Sequence, residues 1–143
     1  MLTQAEADAL IAMRKSFVER GAIALPPGVD STHELVGEDE QERFLLDLWR
    51  GTFRLSKFRF QERARKVIVL VRLDVDGSPH TNPDGARIGG THLHIYREGY
   101  EDKWAEALDK KAFTNPQNIT LTLRQFCGYC NIENLPPIQG GLL

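Results

Sequence analysis

The sequence predicts an α+β domain: an N-terminal helix packed on a twisted antiparallel sheet of about four strands, followed by short C-terminal helices. Three observations predict it. A capping box and an apolar stripe mark a helix at the start of the chain. Alternating β-branched and aromatic runs, parted by turn residues, fill the middle. Helix-compatible stretches interrupted by Pro and Gly make up the last third.

The helix is expected over residues 3–20. In Thr3-Gln4-Ala5-Glu6 the hydroxyl of Thr3 can accept from the Glu6 N–H while Glu6 reaches back. Leu10, Met13 and Phe17 continue one apolar stripe, Gly21 is a natural stop, and Pro26-Pro27-Gly28 turns the chain. Residues 43–50 and 53–61 read as two strands joined at Gly51-Thr52. The apolar parity changes between Phe53/Leu55 and Phe58/Phe60, which predicts a bulge near Ser56-Lys57. Residues 67–75 give the clearest strand, with Val67, Val69, Val71, Leu73 and Val75 on one face. A loop rich in Gly, Pro, Asp and Asn follows over 76–90, then a strand over 91–97. Residues 102–110, containing Trp104, read as a short helix broken by Asn115-Pro116. Thr120 is the expected cap of a helix through Leu121, Leu123 and Phe126. Leu135-Pro136-Pro137 and Gly140-Gly141 make the tail irregular.

The chain of 143 residues fits a single domain spanning 1–143, and 41% hydrophobic residues argue against wholesale disorder. No apolar run reaches the roughly 20 residues a membrane helix needs. The charged N-terminus predicts no signal peptide and a cytoplasmic location. Cys127 and Cys130 form a lone CxxC without two further ligands, and are expected to be half-buried reduced thiols. Net charge is −2, unevenly spread. Six acids and no Lys or Arg lie between residues 30 and 42, whereas residues 43–72 hold nine bases against Asp47 and Glu62. Arg54, Lys57, Arg59, Arg63 and Arg65, interleaved with Phe53, Phe58 and Phe60, are candidates for a nucleic-acid-binding face. A solvated face neutralised by the preceding acids is the competing reading.

The chemistry concentrates between residues 74 and 104. On a strand, His92, His94 and Tyr96 share one face, with the two imidazoles about 7 Å apart. The long loop can fold His80 over them. Three readings follow. In the first, His92 and His94 act as an acid–base pair on an RNA phosphodiester, without metal or other cofactor, and His80 stands in reserve. Arg97 then stabilises charge on the phosphorus, and Tyr96 or Tyr100 orients the phosphate. In the second, the spacing of His92, His94 and Glu98 holds a metal together with His80. In the third, the histidines pin the loop by hydrogen bonds. A catalytically inert protein, binding nucleic acid or a protein partner through the basic face, is the alternative to an enzyme.

The spacing His92-x-His94-x-x-x-Glu98 resembles the core of the cupin motif, with Ala86 and Ala105 where that pattern has glycine. The blocks His80-Thr81-Asn82-Pro83-Asp84-Gly85, Gly90-Thr91-His92-Leu93-His94-Ile95-Tyr96-Arg97-Glu98-Gly99-Tyr100 and Asp102-Lys103-Trp104-Ala105 resemble an uncharacterised family of small bacterial and prophage proteins. Arg72-Leu73-Asp74, Pro79-His80 and His92-Leu93-His94 are more distantly similar to TumE-type toxins of toxin–antitoxin pairs, with Thr81 where that pattern tends to a second histidine. That likeness implies an RNA-directed toxin with a cognate antitoxin partner.

Overall fold

The computed structural model describes residues 1–139. In chain order the elements are α1 (Gln4–Ala12), β1 (Lys15–Phe17), β2 (Ile23–Ala24), β3 (Asp30–Gly37), β4 (Arg43–Arg50), β5 (Phe58–Ala64), β6 (Ile68–Val75), β7 (His80–Thr81), β8 (Arg87–Ile88), β9 (His92–Ile95), β10 (Ala105–Ala107), α2 (Ile119–Tyr129), β11 (Ile132–Glu133) and β12 (Ile138–Gln139). One sheet of eight strands dominates, in the order β10-β9-β6-β5-β4-β3-β1-β11. Its neighbours are antiparallel except β1 and β11, which run parallel. The β2/β12 and β7/β8 pairs stand outside it. None of the described helices is long and apolar enough to cross a membrane.

The fold is thus mostly sheet, and the expected α+β domain with about four strands is corrected by this finding. The central meander was legible: β4 and β6 fall where alternation puts them, but β5 starts five residues late and its irregularity lies at Glu62/Arg63 rather than at Ser56-Lys57. The missing strands have separate causes. The Thr3 capping box is present, with Thr3 Oγ1 accepting from Glu6 N at 3.1 Å and Glu6 Oε1 accepting from Thr3 N at 3.0 Å. Yet α1 ends at Ala12, because Lys15 N donates to Asn131 O at 2.9 Å and the chain turns into sheet. β3 carries Asp30 and Glu34 of the acidic stretch, and only Leu35 and Gly37 on it are buried, so no apolar run announces it. Residues 105–107 pair with β9 as an edge strand in place of the expected helix over 102–110. The cap of α2 is Asn118, whose side chain accepts from Leu121 N, rather than Thr120.

Pleating gives the sheet two unlike faces. Phe44, Leu46 and Leu48 of β4, Phe58 and Phe60 of β5, and Leu73 and Val75 of β6 are buried in one apolar cluster. α2 joins it through Phe126, whose ring lies 6.0 Å from that of Phe60. Cys127 and Cys130 are also in this cluster, fully buried rather than half-buried, and both are free thiols. Burial pushes the Cys127 thiol up to about 12, so it is a packing group and not a nucleophile near neutral pH.

One ion pair lies on the same face. Lys15 Nζ sits 3.1 Å from Glu62 Oε2, and both side chains are wholly buried. The ammonium also donates to Ile11 O at 2.9 Å and Cys130 O at 2.6 Å, and lies 5.0 Å from the centre of the Phe44 ring. It therefore ties the end of α1, the end of α2 and the middle of the sheet to one point. Burial pushes the Glu62 carboxyl up to about 7, with Lys15 pulling the other way.

Removing one member of this pair strands the other charge. Lys15→Met is expected to cost about 3–5 kcal/mol, and Lys15→Met combined with Glu62→Leu far less, as read from urea-unfolding midpoints. The folded pKa of Glu62 lies above its ordinary value of 4.5. Its contribution to stability is therefore complete below pH 4.5 and is lost as pH rises through about 7. The wild-type midpoint should fall across that window, and the midpoint of Glu62→Gln should lack this component.

Candidate functional site

The polar face of the sheet is laid out by register. Trp49 of β4 is the Cα partner of Arg59 on β5, Arg59 of Asp74 on β6, and Asp74 of His92 on β9. One step along, Asp47, Gln61, Arg72, His94 and Ala105 form the parallel row. In β6, Arg72 and Asp74 take the parity opposite Leu73 and Val75, so the same alternation that fills the core exports two charged groups to the other face.

Asp74 is the hub. Its Oδ2 accepts from Arg72 Nε at 3.0 Å and lies 3.2 Å from His92 Nε2 and 3.3 Å from His94 Nε2. Its Oδ1 lies 3.3 Å from Arg59 Nε. Burial works to raise the Asp74 carboxyl, but the close approach of the His92 and His94 rings and the charge of Arg72 hold it well below the usual carboxylate range. Burial likewise works to depress His92, and its hydrogen bonds to Asp74 and Gly89 outweigh that and raise it.

The remaining ring nitrogens are anchored to backbone. His92 Nδ1 lies 2.6 Å from Gly89 O, and His94 Nδ1 lies 2.7 Å from Asp102 O. A carbonyl oxygen only accepts, so both Nδ1 atoms carry hydrogen and both Nε2 atoms face Asp74. His94 Nε2 is buried and has no hydrogen-bond partner among the described residues. His80 closes the group from the loop. Its ring centroid lies 4.7 Å from that of His94 and 5.7 Å from that of His92. His80 Nε2 donates to Lys103 O over 2.8 Å, which leaves Nδ1 as the nitrogen without a hydrogen bond among the described residues. His80 is half-buried, whereas His92 and His94 are buried. A cavity of about 220 Å³ opens here, lined by Lys57, Arg59, Arg72, Asp74, His80 and His92 among others.

The loop that delivers His80 is itself built. Gly77 N donates to Gly90 O at 2.9 Å across its neck, where a Cβ on Gly90 would run into the Gly77 carbonyl oxygen. The β7/β8 pair stiffens its arms. Asn82 is buried and exchanges two hydrogen bonds with Ala105, at 2.9 Å and 2.8 Å, which fastens the loop to β10.

Other expected site residues lie elsewhere. Tyr96 follows the last residue of β9 and escapes its alternation: it is buried in the apolar core, where its hydroxyl donates to Leu2 O at 2.7 Å and accepts from Leu2 N at 3.0 Å. Arg97 is exposed and stacks over Trp104, 4.1 Å from the ring centre. Tyr100 packs edge-on against the same indole. Glu98 Oε1 accepts from Gln4 N at 2.8 Å, so the cupin-like set of His80, His92, His94 and Glu98 is not gathered; the group that converges is Asp74, His92 and His94. Of the basic candidates, Arg54 pairs with Asp76, Arg59 with Asp74, Arg63 with Asp47 and Arg65 with Glu42. The positive excess over residues 43–72 is therefore partly neutralised within the sheet. Lys57 and Arg59 flank Trp49, 5.8 Å and 5.3 Å from its ring centre. Asp74 was missed as a site residue, although its polar parity within an apolar strand was the available signal. A larger cavity, about 780 Å³, lies between residues 41–45 and 65–66 and has no histidine in its lining.

The chain belongs to a family of unknown function, DUF6978, whose model matches residues 2–132. No match was found among curated proteins or among solved structures.

Tyr96→Phe removes both hydrogen bonds to Leu2 and should cost about 1–3 kcal/mol in unfolding free energy. The ring pairing of His80 with His94 should persist, visible as unchanged histidine side-chain resonances in the NMR spectrum of the variant.

Proposed function

We propose that this protein cleaves RNA phosphodiesters at the histidine pocket, as a toxin-like ribonuclease. The observation that supports it best is the meeting of His80 and His92 with Lys57, Arg59 and Arg72 around one small cavity, with the His94 ring packed against both imidazoles. Three cationic groups line the cavity beside the single Asp74 carboxylate, an excess of positive charge that suits a phosphate, and a group able to move protons stands at its edge.

The roles differ from those the spacing alone suggested. His92 and His94 have both ring nitrogens directed at protein atoms, so His80, with Nδ1 free, is the proton carrier in this reading. His80 Nδ1 takes the proton of the ribose 2′-OH, the 2′-oxygen attacks phosphorus, and the bond from phosphorus to the 5′-oxygen breaks. The imidazolium then returns its proton to the 5′-oxygen, leaving a 2′,3′-cyclic phosphate and a 5′-hydroxyl. Lys57, Arg59 and Arg72 hold the non-bridging oxygens as charge grows on them. Trp49, flanked by Lys57 and Arg59, offers a face on which a neighbouring base can stack. The likeness to TumE-type toxins, carried by Arg72, Asp74, His80, His92 and His94, supports the same reading and implies an antitoxin as partner.

Untagged protein should cleave a labelled mixed RNA to products ending in a cyclic phosphate. His80→Ala should slow cleavage by about 10²- to 10⁴-fold without changing the unfolding midpoint. Wild-type protein without cleavage, or His80→Ala with full cleavage, would overturn the assignment. In the first case a binding role through the basic face is tested by neutralising Lys57 and Arg54 and following RNA affinity against salt.

A further inference from the structure

We infer that Asp74, His92 and His94 are the protein ligands of one divalent first-row transition-metal ion. One ligand atom from each lies within 4.8 Å of the others, and all three residues are buried. The Nε2 atoms of the two histidines stand 3.2 Å and 3.3 Å from the same carboxylate oxygen, spacings that neighbouring donors take up around a shared ion with bonds of about 2.0–2.2 Å.

Three features favour an ion over a set of mutual hydrogen bonds. First, the rings are oriented from outside. Gly89 O and Asp102 O each take the Nδ1 hydrogen, which leaves Nε2 as the nitrogen aimed at Asp74 and, on the neutral ring, as its lone pair. Metal-binding histidines are commonly oriented by such a bond to a backbone carbonyl. Second, the resulting arrangement is unsatisfied without a cation. His94 Nε2 is buried, lacks a hydrogen-bond partner among the described residues and points at a carboxylate that, ionised, is only an acceptor. Third, the carboxylate is braced as ligating carboxylates are: Arg72 Nε donates to Oδ2 and Arg59 lies beside Oδ1. Two histidines and one carboxylate leave coordination positions open, a set suited to Zn²⁺, Fe²⁺ or Mn²⁺ with water or a phosphate oxygen completing the shell. His80 lies outside this set and borders it.

The inference shares its site with the proposed ribonuclease but does not depend on it, because metal uptake is measured without RNA. In that chemistry Asp74, His92 and His94 would hold the ion, which would supply positive charge to the phosphate, and His80 would remain the proton carrier.

The test is direct. Untagged full-length protein, stripped with chelator and exchanged into metal-free buffer, is titrated with Zn²⁺ by calorimetry. One ion per chain is expected. His94→Ala and Asp74→Asn should each weaken binding by about 100-fold or more, while His80→Ala and His33→Ala leave it within a few-fold. Circular dichroism checks that the variants remain folded. A second measurement needs no variant: in ¹⁵N spectra of histidine side chains, Zn²⁺ should shift Nε2 of two rings and leave their Nδ1 protonated. Absence of stoichiometric uptake, or uptake with no shift at these two Nε2 atoms, would overturn the assignment. Metal uptake without RNA cleavage would leave this inference standing and remove the ribonuclease reading; RNA cleavage in EDTA without uptake would do the reverse.

Discussion

The pairing register of β5, β6 and β9 is the constraint on which core and site both rest. Arg59, Asp74 and His92 are successive cross-strand partners, as are Gln61, Arg72 and His94. Side chains alternate between faces with a period of two, so a slip of one residue in β6 would turn Leu73 and Val75 out and Arg72 and Asp74 into the core. Burial of that apolar face holds the register, and the held register assembles the polar face. The site needs no separate scaffold: it is the reverse side of the core. What the sheet cannot supply is His80, and the Gly77/Gly90 neck and the Asn82–Ala105 bonds bring it in from the loop.

Two buried carboxylates solve their burial in different ways. Glu62 lies on the apolar face with one cation, Lys15, and burial dominates, so its carboxyl is pushed up to about 7. Asp74 lies on the polar face among Arg59, Arg72, His92 and His94, and these neighbours overcome burial and hold it ionised. The first is a structural clamp between helices and sheet. The second gathers cationic and imidazole groups around one oxygen and leaves His94 Nε2 without a partner, as functional centres do more often than structural ones.

The basic face illustrates the limit of charge counting. Nine bases within thirty residues suggested a polyanion surface, yet Arg54, Arg63 and Arg65 each meet a carboxylate across the sheet or from the neighbouring loop. Asp47 alone accepts from Thr32, Gln61 and Arg63. Among the described residues, the cations that face the histidine cavity are narrowed to Lys57, Arg59 and Arg72.

The sequence alone determined the parts governed by local rules. The Thr3 capping box, the strands over residues 43–50 and 68–75, and the shared face of His92 and His94 all follow from hydrogen bonding within a turn or from alternation along one strand. Only the tertiary structure decided the rest. The end of α1 is set by pairing with residues more than a hundred positions away, and the edge strands β10 and β11 are too short to leave a pattern. Tyr96 lies one residue past its strand, so alternation no longer points it to the site. Asp74 joins His92 and His94 because two distant segments share a register, and Glu98 departs because Gln4 holds it. Such choices rest on contacts between segments far apart in the chain, which no local spacing encodes.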